Sequence, residues 1–409
     1  MKKLVLALAV GAVTISSVQA KTPSVDEMWR IIQSQQAEIE ALKDAAAARD
    51  NRLSVTVERL DMTADVVDQV SSDNKVAAKS KTTLGGYGEL HYNNLEKQSD
   101  GSKKEEIDFH RFVLFVNHEF NDTTRLFSEL ELEHSIAGDG KPGEIELEQA
   151  YIEHDYAANH QFKAGLFLIP VGIMNETHEP NTFYGVERNP VEKNIIPTTW
   201  WEGGAALTGR FGEGFSYDAA LTSGLGIDAQ AGKYKVRDGR QKVSKAKANA
   251  LAYTGRMKYT GVKGLELGLT AQYQEDIYQN ELSSEVDATL LEAHIAWRME
   301  GFGLRALYAQ WDINSAINDI KDGADKQKGW YVEPSYKFSE SWGVFARYSD
   351  WDNLAGSSSQ TGMDQYDIGV NFWLNPQVVF KLDLQKQAHA GDDSSKEYNG
   401  FNLGMGYSF

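Results

Sequence analysis

From Leu84 to Phe409 the chain alternates apolar and polar positions with a period of two. In LELGLTAQYQ, Leu265, Leu267, Leu269, Ala271 and Tyr273 fall on one side of an extended segment, and Glu266, Gly268, Thr270, Gln272 and Gln274 on the other. YDIGVNFWL repeats the pattern, with Tyr366, Ile368, Val370, Phe372 and Leu374 against Asp367, Gly369 and Asn371. Alternation of this kind marks strands with one face against an apolar medium. Sixteen such segments can be counted, from 84–94 and 107–120 through 160–169 and 248–259 to 398–409. Each is about 9–14 residues long, the length a tilted strand needs to cross a membrane.

The connections alternate as well. Short turns such as NDT (121–123), GEG (212–214), SE (339–340) and NPQ (375–377) are interleaved with long acidic or Gly/Ser-rich stretches. Transmembrane barrels have short periplasmic turns and long outside loops, and an even strand count leaves both ends in the periplasm. The fold expected is therefore all-β: a 16-stranded antiparallel transmembrane β-barrel over 84–409. Its last strand, GFNLGMGYSF, places Phe401, Leu403, Met405, Tyr407 and Phe409 on one face. Such a strand has to pair with the first, because an open edge cannot face lipid. Tyr407 and Phe409 are expected at the lipid–water interface. A terminal aromatic after this alternation also looks like the signal read by the barrel-assembly machinery of the outer membrane.

Ahead of the strands the period changes. Residues 21–72 contain no glycine, and Ile32, Ile39, Ala46, Leu53, Leu60 and Val67 form one heptad column. A second column has Met28 and Leu42 but is diluted by Gln35, Arg49, Thr56 and Thr63. This predicts a short α-helical coiled coil in the periplasm, joined to the barrel by a linker at 73–83. The first twenty residues, MKKLVLALAVGAVTISSVQA, read as a secretory signal peptide with cleavage after Ala20.

Composition narrows the function classes. The chain has no cysteine, so no disulfide framework supports it. Mean hydropathy is −0.46, which a barrel tolerates because lumen-facing polar residues offset lipid-facing apolar ones. Lys and Arg number 41 against 59 Asp and Glu, a net charge of −18; a basic nucleic-acid footprint is absent. HEFND (118–122) lacks the second histidine of a zinc helix, and GDGKPG (138–143) lacks the Ser or Thr of a phosphate loop. His134 reads as a wall histidine. No catalytic residue, metal or cofactor is expected.

Four segments, FKAGLFLIPVGI (162–173), GWYVEPSYKF (329–338), GVFARYSDWD (343–352) and YDIGVNFWLNPQVVFKLDLQ (366–385), carry a resemblance through their spaced Gly, Pro and aromatic positions. The chain resembles the phosphate-selective porin O and P family of Gram-negative outer membranes. The resemblance implies a trimeric, sixteen-stranded outer-membrane porin: a water-filled channel, embedded in outer-membrane lipid, through which small hydrophilic or ionic solutes, anions such as phosphate among them, diffuse passively. The alternative is structural, a barrel that anchors a coiled coil tethering the membrane to the cell wall.

In a channel, selectivity rests on lumen charges and on the loop that narrows the pore. The longest connection, 170–201, follows the fifth strand and is expected to fold inward as the constriction. Glu176, His178, Glu179, Tyr184, Glu187, Arg188, Glu192 and Lys193 are its candidates. The phase of alternation places Arg111, Glu129, Glu131, Glu133, Lys163, Arg210, Arg256, Lys258, Arg298, Arg305, Arg347 and Lys381 on the pore wall. Both signs occur there, which gives either a transverse field or a set of wall ion pairs.

Overall fold

A computed structural model describes residues 81–409 apart from 229–230, 315–320 and 392, together with five isolated helical positions at 26, 29, 33, 36 and 43. The signal peptide and nearly all of the predicted coiled coil lie outside the described residues. The unit Ser80–Phe409 is a closed antiparallel barrel of sixteen strands. The first five are β1 Thr82–Lys97, β2 Lys103–Asn121, β3 Thr124–Glu133, β4 Ile145–Ala157 and β5 His160–Leu168. Then come β6 Trp201–Phe211, β7 Phe215–Thr222, β8 Ala252–Tyr259, β9 Leu265–Gln274 and β10 Ala288–Met299. The series ends with β11 Phe302–Ile313, β12 Lys326–Lys337, β13 Trp342–Asp352, β14 Met363–Asn375, β15 Val378–His389 and β16 Tyr398–Ser408. A small hairpin, Ala137–Gly138 with Lys141–Pro142, stands apart from the barrel sheet.

Each strand pairs with its neighbour in sequence, and β16 closes on β1 from Tyr87↔Ser408 to Lys97↔Tyr398. Phe409 extends the seam, exchanging backbone hydrogen bonds with Gly86 at 2.9 and 3.0 Å. Glycine is required there: a Cβ on Gly86 would stand 2.2 Å from the Val113 carbonyl oxygen. The seam is thus floored by small residues on β1 and covered by aromatics from the end of the chain.

Burial is inverted relative to a protein that hides its apolar side chains from water. Glu129, Arg111, Arg256, Arg347 and Asp383 are buried, whereas Leu269, Leu291, Ile368 and Leu384 are more than half exposed. The apolar faces point outward, where only a lipid environment removes them from water. The polar faces point into the lumen.

The lumen is not empty. The loop 169–200 runs inside the barrel, held by strands on every side, and the described residues of 223–251 pack beside it. Ile169, Val191, Ile195, Ile196 and Trp200 of the first loop join Leu225, Ile227 and Val236 of the second. With Leu290, Leu307, Trp311, Tyr331 and Trp351 of the β10–β13 wall they form one apolar cluster. This cluster fills the lumen beside β10–β13. The remaining aqueous space borders β1–β4 and β14–β16 and, towards the short turns, β9–β12.

Candidate functional site

The inner loop begins where β5 runs out of alternation. Asn175 fixes its base: its side-chain NH2 donates to Ile169 O and Trp200 O (2.8 and 2.9 Å), and its Oδ1 accepts from Trp200 N (2.7 Å). Glu192, in the one-turn helix Val191–Asn194, locks the middle. Its carboxylate accepts from Ile173 N at 2.9 Å, Met174 N at 2.6 Å and the Tyr331 hydroxyl at 2.8 Å. Glu192 is fully buried, so it organises the loop and does not face the passage as the sequence reading expects.

The tip of the loop is tied around the wall. Arg111 Nη2 donates to His178 O (2.7 Å), Arg305 Nη2 to Thr182 O (2.8 Å) and Lys381 Nζ to Gly185 O (2.8 Å). Val186 N donates to Asp383 Oδ2 at 2.6 Å. Glu187 lies 3.1 Å from both His91 Nδ1 and Asn93 Nδ2. Glu176 pairs with Arg256. Tyr184 packs against Phe345 and Trp373. Glu179 is half-buried, and its backbone carbonyl accepts from Thr182 N at 3.0 Å. The inner face of β16 makes room for the loop: a Cβ on Gly406 would stand 2.4 Å from Pro180.

Many wall charges are spent on each other. Arg111 Nε donates to Glu89 at 2.5 Å. Arg347 sits 3.0 Å from Asp367 and 3.1 Å from Glu333. Arg256 also meets Asp218 at 2.7 Å, Lys258 meets Glu266 at 3.4 Å, and Lys163 meets Glu153 at 3.8 Å. Arg210 is exposed near the turn end of β6.

Other charges face open water. A cavity of about 340 Å³ lies between the loops and the β1–β4 wall. Arg188, Lys193, Arg237, Arg240, Lys242 and Glu187 line it from the loop side; Glu89, Glu133, Glu146 and Glu148 line it from the wall side. Lys242 pairs with Glu144 and Glu146. The three arginines instead hydrogen-bond to uncharged loop oxygens. Arg188 donates to Thr199 Oγ1 at 2.7 Å, Arg237 to Thr198 O at 2.5 Å and Arg240 to Thr199 O at 2.5 Å. Arg237 and Arg240 belong to 223–251, which the sequence reading passes over. His134, expected on the wall, lies in the turn after β3 and borders the same cavity, its Nδ1 2.9 Å from Asp108.

Two further cavities are present. The first, of about 560 Å³, shares Glu187, Arg188 and Lys193 with it and adds Lys104, Lys235 and Lys396. The second, about 470 Å³, lies at the short-turn end and is lined by Lys263, Arg298, Arg305, Glu266 and Glu333.

A lipid-facing closed barrel with a polar lumen, narrowed by its own loop, defines a transmembrane pore. The Gram-negative porin family model matches residues 75–391. The chain belongs to the Gram-negative porin family, and the outer membrane is where that fold resides. An uncharacterized protein of Aquifex aeolicus (strain VF5) is 28% identical over 339 residues, 76% of each chain. The anion-selective porin from Comamonas acidovorans superposes with a TM-score of 0.58 at 12% identity, covering 81% of this chain and 100% of that one. In-vitro folded OmpT of Vibrio cholerae, in its trimer form, gives 0.53 at 11% identity, covering 81% and 100%.

Proposed function

We propose that the channel admits small hydrophilic solutes down their gradients with a preference for anions, and that 169–200 and 223–251 together form its constriction. The observation that carries this reading is the face of Arg188, Lys193, Arg237 and Arg240 set across the 340 Å³ cavity from Glu133, Glu146 and Glu148. Opposite charges across a narrow passage make a transverse field, which orients a solute by its dipole. The outer cavity tips the balance. It presents five basic side chains, Lys104, Arg188, Lys193, Lys235 and Lys396, against the single carboxylate of Glu187. The inner cavity adds three basic side chains against two acidic ones. An anion therefore meets positive charge before, within and after the narrow region.

The resemblance to phosphate-selective porins places phosphate among the candidate anions. The anion selectivity of the Comamonas porin supports the same sign. Residues 21–72 would form a periplasmic coiled coil that stabilises a homotrimer. The heptad column and the trimer form of the Vibrio neighbour support that assembly. The test is uptake into proteoliposomes of neutral, anionic and cationic solutes matched in size. The reading expects the order anion, neutral, cation; equal rates, or cation first, would refute it. The apolar filling beside β10–β13 favours a second reading, a narrow barrel anchoring a coiled-coil tether, which predicts no uptake of any of the three.

A further inference from the structure

The constriction loop and the barrel wall also meet at a cluster that shares only Glu148 with the proposed field. His178 on the loop, Glu129 on β3 and Glu148 on β4 bring an imidazole nitrogen and two carboxylate oxygens within 4.8 Å of one another. All three side chains are at most 3% exposed. His178 Nε2 lies 3.6 Å from Glu129 Oε1 and 3.5 Å from Glu148 Oε2. Neither separation closes a hydrogen bond: His178 Nε2 and Glu148 Oε2 are both buried without a partner. Buried polar atoms are normally satisfied, so two bare ones aimed at the same point call for an explanation.

A metal ion supplies one. With bonds of about 2.0–2.2 Å and tetrahedral angles, neighbouring ligand atoms around Zn²⁺ stand ~3.4 Å apart, too far for a good hydrogen bond and close to the separations here. The ligands are also fixed from behind. His178 Nδ1 is 3.1 Å from Asn175 O, so in the neutral ring it donates there and leaves the Nε2 lone pair pointing at the carboxylates. Outer hydrogen bonds of this type set the tautomer of metal-binding histidines. Glu129 is held by Gln149, whose Nε2 donates to Oε2 at 2.7 Å, and by the Tyr87 hydroxyl at 3.3 Å. Glu148 reaches the lumen through a bulge. Glu129 pairs with Gln149 and Leu130 with Leu147, so Glu148 is the extra residue, and bulges re-aim side chains in this way. Glu148 also borders the 340 Å³ cavity, which gives an ion a route from the aqueous lumen.

The geometry points to a divalent metal site of the Zn²⁺ class at His178, Glu129 and Glu148, clamping the constriction loop to the β3–β4 wall. One imidazole and two carboxylates form a donor set that suits a borderline cation better than Ca²⁺ or Mg²⁺, which take oxygen ligands. The same atoms can otherwise be satisfied by an imidazolium held between the two carboxylates, and a metal titration separates the two arrangements.

The purified full chain, stripped with chelator and dialysed, is titrated in detergent with ZnCl₂ by calorimetry and with CoCl₂ by visible absorption. The site predicts one saturable ion per chain. Glu148→Gln and His178→Gln should each weaken it by at least about tenfold. The cobalt spectrum should lose its imidazole character in His178→Gln, in protein whose circular dichroism is that of the wild type. Absence of saturable binding by the wild type, or equal binding by both variants, would overturn the proposal. So would Ca²⁺ binding that survives His178→Gln. Binding is read without transport, so failure of the site and failure of the channel reading are separate results.

Discussion

Replacing Arg240 with Gln removes one of the five loop cations that line the 340 Å³ cavity while keeping a side chain able to donate to Thr199 O. A cavity of 340 Å³ has the volume of a sphere about 4.3 Å in radius, so an ion within it passes on the order of 5 Å from the lining charges. At that distance a unit charge in water contributes ~0.8 kcal/mol, reduced to ~0.5 kcal/mol by screening at 0.1 M salt. The effect enters twice, favouring the anion and disfavouring the cation. The ratio of chloride to potassium permeability should therefore fall about fivefold on substitution at 0.1 M, and by less than about twofold at 1 M, where the screening length is ~3 Å. The assay is reversal potential in planar bilayers under a KCl gradient at both ionic strengths. Arg210→Gln is the control, since Arg210 is exposed at the turn end of β6 and should leave the ratio unchanged. An unchanged ratio in Arg240→Gln at 0.1 M would refute the field argument. An equal change at both ionic strengths would assign the effect to altered loop packing.

Other consequences can be measured separately. Glu192→Ala strips the acceptor from two backbone N–H groups and the Tyr331 hydroxyl; at roughly 1–3 kcal/mol per buried orphan, the 172–174 turn should loosen. Single-channel conductance and current noise should both rise, and less so in Glu192→Gln; wild-type traces from Glu192→Ala would count against this role. Lys193 reaches lumen water, but enclosure by the barrel, with the Arg237 and Arg188 guanidiniums beside it, holds its ammonium below the usual lysine value of 10.5. Deprotonation removes positive charge, so anion preference should decline as pH rises, starting below that value, and Lys193→Met should flatten this part of the curve. Arg347→Met leaves Glu333 and Asp367 buried without their cation; breaking such a group costs about 3–5 kcal/mol. The variant's refolding yield should drop, and it should recover when Glu333→Gln and Asp367→Asn are added.

The barrel was legible because lipid imposes the alternation. An outward Leu269 or Ile368 has no substitute, and polar neighbours must turn inward, so period and phase both survive in the sequence. Loop 169–200 was legible by its length and its prolines. The second inner loop was not: Leu225, Ile227 and Val236 are buried in the lumen, but they are scattered among Gly, Lys and Asp with no period to mark them. Its extent also explains why β8 begins at Ala252 and not at 248. Individual charges were the least legible part. Counting carboxylates along a loop cannot separate Glu192, consumed by backbone N–H groups, from Glu187, which borders the passage. Glu148 could not be placed either, because the bulge that turns it inward leaves no signature in the spacing of β4.

The proposed anion preference is read from the reversal potential of the wild-type protein in a bilayer separating 0.1 M from about 1 M KCl. Open channels and a potential displaced toward the chloride equilibrium value are expected. A potential displaced toward potassium would contradict it, because the wall carboxylates would then govern the passage, and silence in the bilayer would contradict the channel itself.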